Sequence, residues 1–455
     1  MNLLSIDPST GEQFDAFEEM SAAEVDAALA QAAACFAEWR RTSFAERAKP
    51  MREAARLLRE RKTAYGELMA REMGKPIAAG EAEAEKCAWV CEYFAEHAET
   101  FLQPEIIESD ATKSFVSYQP IGVMLAIMPW NFPFWQVLRC AAPGIMAGNT
   151  FVLKHANNVT GSALAVEQLL RDAGFPEGIL TALRIDIPRI EGVIRDDRVQ
   201  HVSLTGSTRA GRAVAAACAH GPKRCILELG GSDPFLVLAD ADLDLAAEQG
   251  AISRLFCNGE SCIAAKRFIV VPEIADAFIE KLKARMTSKR MGPPLERDTD
   301  LGPMARKDLR DTLHQQVTDS VAKGAVLVCG GEIPDGPGYY YPATILDAVT
   351  PGMPAYEEEL FGPVAAILRA RDEAHAIELA NDTPYGLGAA IFTRDTARAE
   401  RIMQDEIGAG ACFVNAFVRS DPRLPFGGTK GSGYGRELGP HGIRDLTHIK
   451  TVYIA

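Results

Sequence analysis

GVMLAIMPWNFPFWQVLRCAAPGIMAGNTFVLK, residues 122–154, carries the reading of the fold. Gly122–Met128 is a short, wholly apolar run that stops at a proline and reads as a buried strand. Phe134–Ala147 has the length and apolar density of a helix. Thr150–Lys154 is a second apolar strand. Strand, helix, strand in so few residues is a βαβ unit, and its two strands run parallel. Outward from this unit the alternation continues. Gly161–Ala173 reads as a helix, His201–Leu204 as a strand and Arg209–Ala219 as a helix. Cys225–Leu229 and Phe235–Leu238 read as strands, Leu243–Phe256 as a helix, Phe268–Val271 as a strand and Ile274–Met286 as a helix. The expectation is an α/β fold, with helices on both faces of parallel sheets. Upstream, Ala22–Arg61 and Ala64–Glu99 are Ala- and Glu-rich, so the first hundred residues read as mostly helical. FVSYQ (Phe115–Gln119) and TVYI (Thr451–Ile454) are β-prone and stand apart, which suits a small extra sheet at a subunit interface.

Composition narrows the function. Of 455 residues, 47% are hydrophobic and 24% charged, as in ordinary globular chains. The net charge of −14 repels phosphate backbones, so no nucleic-acid partner is expected. Met1–Phe14 has neither a basic nor an apolar signal region, and no apolar run reaches membrane-span length. Ten cysteines without framework spacing read as free thiols, and a cytoplasmic location is expected. Metal is not expected: there is no HExxH, and Cys257 and Cys262 form a C-x4-C with no second pair nearby.

Four places carry candidate chemistry. SLTGSTRAGR (203–212) is a strand, a Gly-Ser turn and a helix start. It is open both to a phosphate and to a plain N-cap. Lys154 ends a strand, where ligands of open α/β sheets gather. Glu228 lies in the apolar ILELGG, and Glu359 in EEELFGP. Burial would raise the pKa of Glu228 toward that of a general base, the alternative being a structural acceptor. Cys262, in LFCNGESCIAAKR (255–267), is either a packing thiol or a nucleophile whose pKa a helix N-terminus would lower. These surroundings leave both open.

In combination the stretches resemble the NAD(P)-dependent aldehyde dehydrogenase superfamily. They are PWNFP (129–133), GNTFVLKHA (148–156), LTGSTRAGR (204–212), LELGG (227–231), Cys262, EELFGP (358–363) and PFGGTKGSGYGREL (425–438), in family order. Within it, WNFPFWQVLR, KHANN, ELGGSDPF, SCIAAKRF and the long C-terminal motif are most similar to bacterial succinate-semialdehyde dehydrogenases.

The resemblance implies two Rossmann-like parallel-sheet domains and a small oligomerisation sheet. Residues 1–101 and 121–229 would bind cofactor, 230–430 would carry catalysis, and 102–120 with 431–455 would mediate assembly as a homodimer or homotetramer. It implies oxidation of succinate semialdehyde to succinate with NADP or NAD. Alternatives are glutarate semialdehyde, a neutral aldehyde, or a non-redox thiol esterase. Cys262 would attack the aldehyde, Asn131 would donate to the oxyanion, and Glu228 would activate water. Trp130, Lys154, Asn157, Gly206, Ser207, Glu359 and Phe361 would hold the cofactor. Asn157 stands where NAD-preferring members often carry glutamate, so NADP is expected to be tolerated. Arg139, two turns beyond Asn131, would read the second carboxylate, with Trp135, Arg419 and Ser420 bordering the same channel. Two positions depart from the family's N-x-G-Q-x-C. Glu260 replaces glutamine and would oppose a thiolate unless protonated or turned away. Cys257 replaces asparagine and could pair reversibly with Cys262.

Overall fold

The computed structural model describes residues 2–455. The unit at 122–154 folds as read. Strand Val123–Met128, helix Trp135–Met146 and strand Thr150–His155 are buried along their whole length. Both strands are covered on two faces, which is why they are apolar throughout rather than alternating. The sheet built on them runs Gly433–Tyr434, Arg224–Glu228, Val199–Thr205, Val123–Met128, Thr150–His155, Leu180–Ala182. All neighbours are parallel except Gly433–Tyr434, which is antiparallel to Arg224–Glu228. From Val123–Met128 the chain moves to one side, through Thr150–His155 and Leu180–Ala182. It then crosses to the other, to Val199–Thr205. The strand order therefore reverses beside Val123–Met128, and a crevice opens at the carboxyl ends there.

A second sheet has seven strands, in the order Val326–Cys329, Thr344–Asp347, Val364–Arg369, Ala265–Val270, Asp233–Val237, Gly388–Phe392, Ala411–Val414. It too is parallel apart from one edge pair, Val326–Cys329 with Thr344–Asp347. A third, antiparallel sheet joins Thr447–Ile454 to Lys113–Pro120 and Glu105–Ile106. The isolated β-prone segments FVSYQ and TVYI thus pair with each other. Among the described residues no helix is long and apolar enough to cross a membrane.

Three details differ from the sequence reading. The N-terminus opens with an antiparallel hairpin, Asn2–Ile6 with Gln13–Glu18, ahead of the helices. Its second strand is largely exposed, so it carries no apolar signature. The two long helical patterns are four helices: Ala22–Trp39, Phe44–Glu60, Lys62–Met73 and Ile77–Phe101. Ser21 with Glu24 and Ser43 with Glu46 form capping boxes that start the first two. Gly74 (φ 76°) ends the third, where a Cβ would lie 2.4 Å from the Pro303 carbonyl oxygen. Finally, the strands within residues 431–455 go to two different sheets. Gly433–Tyr434 closes the edge of the first sheet, and only Thr447–Ile454 joins the third.

Candidate active site

Two cavities lie between the sheets. One, of about 270 Å³, is bordered by Trp130, Asn131, Gly206, Ser207, Glu359 and Phe361 at the crevice of the first sheet. The other, of about 410 Å³, is bordered by Trp135, Arg139, Arg419 and Ser420 among others. Cys262 is the one described residue that borders both.

The loop carrying Cys262 is held in an unusual backbone form. Cys257, Asn258 and Gly259 have φ of 54°, 56° and 76° in succession. Two non-glycine residues in the left-handed region persist only where the surroundings impose it. Here Asn258 Nδ2 donates to the carbonyls of Gly74 (2.9 Å) and Pro303 (3.0 Å), and its Oδ1 accepts from Gly302 N–H (2.8 Å). At Gly259 a side chain is excluded outright, since a Cβ would sit 2.3 Å from Gly362 C. Arg254 binds the Gly259 carbonyl. Lys266, fully buried, donates to the carbonyls of Ser261 (2.9 Å) and Cys262 (2.8 Å). The loop is thereby fixed from both sides.

Cys262 lies in a turn ahead of strand Ala265–Val270 and not at a helix N-terminus, so no helix dipole lowers its pKa. Burial pushes the thiol up to about 12, against the smaller pull of Lys266 and Arg139. The resting group is a neutral thiol. Asn131 Nδ2 donates to the Glu260 carbonyl at 3.0 Å, which orients the amide and leaves its second N–H free for another acceptor. The backbone N–H of Cys262 is engaged by no other group among the described residues.

The acids separate by surroundings. Glu228 is 2% exposed, and neither carboxyl oxygen has a hydrogen-bond partner. Burial raises its pKa far above the usual carboxylate value, and nearby Arg139 offsets this only in part. Its carboxyl borders neither cavity. Glu260 is also fully buried, with its pKa raised by burial, but its side chain accepts from Ala305 N–H at 3.1 and 3.2 Å. It is turned away from Cys262. Cys257 donates its thiol to the Asn131 carbonyl at 3.1 Å, and both Cys257 and Cys262 are free thiols.

At the first cavity, Ser207 caps helix Thr208–Ala219 and accepts from Ala210 N–H at 3.3 Å. The cap leaves the first-turn N–H groups beside Gly206 facing the crevice, a favourable place for phosphate. Trp130 and Phe361 stand edge to face, centroids 5.8 Å apart. Glu359 accepts from Gly231 N–H (3.1 Å) and pairs with Lys266 (3.2 Å). Lys154 and Asn157 lie one strand over, outside this cavity. Lys154 donates to Asn157 Oδ1 at 2.8 Å, and Asn157 Nδ2 donates to Asp186 at 3.0 Å. Burial lowers the Lys154 pKa to about 8. The helix N-terminus and the aromatic pair at this cavity, with a buried ammonium one strand over, fit a dinucleotide.

At the second cavity Arg139 already has partners. It borders the space, but its Nε pairs with buried Glu437, its Nη2 donates to Thr205 Oγ1 at 3.2 Å, and it lies over the Phe426 ring at 4.8 Å. Its charge is largely neutralised from behind. Trp135 and Ser420 are buried, and Arg419 is exposed. Sequence reasoning missed Lys86, Lys266 and Glu437. Lys86 had a signal: it is the sole Lys or Arg in Ile77–Phe101, a helix with six glutamates. Lys266 likewise interrupts an apolar strand. Glu437 had none outside the C-terminal motif.

The chain matches the aldehyde dehydrogenase family over residues 2–452. It is 46% identical over 450 residues to the succinate semialdehyde dehydrogenase (NAD(P)+) Sad of Escherichia coli, covering 99% of this chain and 97% of the relative. It is 46% identical over 458 residues to the succinate-semialdehyde dehydrogenase (NADP(+)) 1 of Mycobacterium bovis, with each chain covered in full. Among solved structures, the succinic semialdehyde dehydrogenase of Streptococcus pyogenes, in complex with NADP+, superimposes with a TM-score of 0.97 at 36% identity and 99% coverage of both chains. By this agreement in sequence and in fold, the chain belongs to the aldehyde dehydrogenase family.

Proposed function

We propose that the protein oxidises succinate semialdehyde to succinate with NADP or NAD, by covalent catalysis at Cys262. The observation that carries this reading is the position of Cys262 as the only described residue bordering both cavities. One cavity suits a nicotinamide and the other a short aldehyde. Relatives at 46% identity bear the same activity in their names.

In this mechanism Cys262 Sγ gives its proton to water and bonds to the aldehyde carbon as the C=O π bond opens, giving a thiohemiacetal alkoxide. The free N–H of Asn131 and the backbone N–H of Cys262 donate to the new alkoxide. The nicotinamide cofactor, when bound, supplies the hydride acceptor. Trp130, Gly206, Ser207, Glu359 and Phe361 would hold it, with Lys154 and Asn157 toward the adenosine end. Oxidation leaves the acyl group on Sγ as a thioester. Glu228 then takes a proton from water, which attacks the acyl carbon and releases Cys262. Because the Glu228 carboxyl borders neither cavity, this role needs its side chain to rotate toward Cys262. Arg139, Trp135, Arg419 and Ser420 would confine the far end of the substrate.

The same reading divides the chain into a cofactor-binding part (1–101 and 121–229) and a catalytic part (230–430). It assigns 102–120 and 431–455 to assembly, with Thr447–Ile454 as the strand that joins the third sheet. Ile106, Ile449 and Tyr453 on the third sheet are 68%, 67% and 54% exposed, which supports a homodimer or homotetramer built there. A monomer at micromolar concentration would end that part of the proposal. All ten cysteines are free thiols, which fits a reducing cytoplasm.

The test is initial rates of nicotinamide reduction with succinate semialdehyde, glutarate semialdehyde and butanal, each with NAD and NADP. A large kcat/KM advantage for succinate semialdehyde is expected, with NADP accepted. Higher kcat/KM for butanal would overturn the substrate, and ester hydrolysis without any reduction would overturn the class.

A further inference from the structure

Five cationic side chains border the larger cavity: Lys75, Lys86, Arg139, Arg419 and Arg423. Three already have anions. Lys75 pairs with Glu83, Arg139 with Glu437, and Arg423 with Asp421 at 2.6 Å. Among the described residues Lys86 and Arg419 form no ion pair. Arg419 is exposed. Lys86 is half-buried, its Nζ 2.8 Å from Ser420 Oγ and 4.2 Å from the centroid of the Trp135 ring.

An ammonium drawn out of water without a counter-charge is unfavourable unless something compensates it. The Trp135 face offsets part of that cost. The deficit shows in its acidity: burial, with Arg139 adding repulsion, brings the Lys86 pKa down to about 8. An arriving carboxylate would restore the missing partner. Ser420 is set to help. Its oxygen accepts from Lys86, so its own proton points elsewhere and is free to be donated.

We infer that Lys86, together with Ser420, reads the distal carboxylate of the substrate, and that Arg139, held by Glu437, is a positioning residue beside it. The inference rests on the semialdehyde reading above and names the group that confers it.

The test compares kcat/KM for succinate semialdehyde with that for butanal, which has the same chain length and no carboxylate. Parent, Lys86→Met, Lys86→Arg and Arg139→Met proteins are measured. Methionine keeps the apolar stem of lysine and removes the charge. Loss of a charge-assisted contact predicts that the semialdehyde-to-butanal ratio falls about 10- to 100-fold in Lys86→Met, chiefly through KM, and partly recovers in Lys86→Arg. Arg139→Met lowers both substrates together. A pH series adds a second readout. The groups facing Lys86 are Glu83 and Cys87 on its own helix, Arg139 across the cavity and Asp421 in the adjoining loop. Lysine is cationic below its pKa, so KM for the semialdehyde rises above about pH 8. KM for butanal stays level, and the rise is absent in Lys86→Arg.

An unchanged ratio in Lys86→Met, with the parent preferring the semialdehyde, would overturn this inference alone. A ratio that collapses in Arg139→Met and not in Lys86→Met would return the role to Arg139. A parent without preference for the semialdehyde would overturn the substrate reading, and this inference with it.

Discussion

The two cavities that meet at Cys262 are built on different principles. The smaller one takes much of its wall from the ends of neighbouring strands in the first sheet, joined by Cys262, Glu359 and Phe361. Pro129–Asn131 follows one strand and Gly206–Ser207 follows the strand beside it. The larger one is made by long side chains from a helix near residue 86, a helix near 139 and a loop near 420. In the first, backbone and glycine set the shape. In the second, charges decide it: three of the five cations already have anions, and one of those anions, Glu437 on Arg139, comes from a distant part of the sequence. Local motifs therefore suffice to recognise the cofactor side, whereas the substrate side depends on which ions are already satisfied.

The largest expected effect belongs to the residue common to both sides. Cys262→Ala should lower dehydrogenase turnover by about 10⁵-fold or more with every aldehyde and either nucleotide. Residual turnover near parent levels would remove the covalent mechanism. Glu228→Gln comes next. Its kcat should fall about 10²- to 10⁴-fold, with a single-turnover burst of nicotinamide reduction retained, because only release of the acyl group needs the base. The raised pKa of Glu228 gives this a sign. A carboxyl whose pKa is raised becomes a base only at higher pH than usual, so acyl release in the parent should speed up as pH rises through that pKa, and in the variant it should not. Loss of the burst would place Glu228 before the thioester.

Smaller effects should fall on one side only. Asn157→Glu puts a carboxylate beside Lys154, and kcat/KM with NADP should drop about 10-fold or more while that with NAD changes little. Equal losses would show that Asn157 does not discriminate the nucleotides. Glu260→Gln should do least. The carboxyl already faces Ala305 N–H, which a glutamine oxygen can also accept, so the acid limb of the pH–rate profile should stay in place. A shifted limb would mean that Glu260 is coupled to Cys262 in spite of its orientation.

Much of the fold was legible because its signals are local. The strands at 123–128 and 150–155 are apolar throughout, and the Ser207 cap follows directly on a strand end. The N-terminal hairpin escaped notice because its second strand is exposed and has no alternation to read. Gly433–Tyr434 escaped because two residues carry no periodicity; the strand exists through its pairing with Glu228 and Leu227. Among site residues, Cys262, Asn131 and Trp130 border the smaller cavity, and Cys262 the larger one too. Lys86 is the sole Lys or Arg among the glutamates of its helix, but only Trp135 and Ser420, placed against it by the fold, give that lysine a site.

Sequence alone determined the class of fold, since apolar runs and caps act within a few residues of chain, and the resemblance of its motifs to the family singled out Cys262 as the candidate nucleophile. Only the tertiary structure decided the electrostatics. It placed Cys262 in a turn with no helix dipole, turned Glu260 toward Ala305, neutralised Arg139 with Glu437 and left Lys86 without an anion. The reason is that a charge in a cavity takes its strength from burial and from partners hundreds of residues away, and neither is written in the spacing of neighbours along the chain.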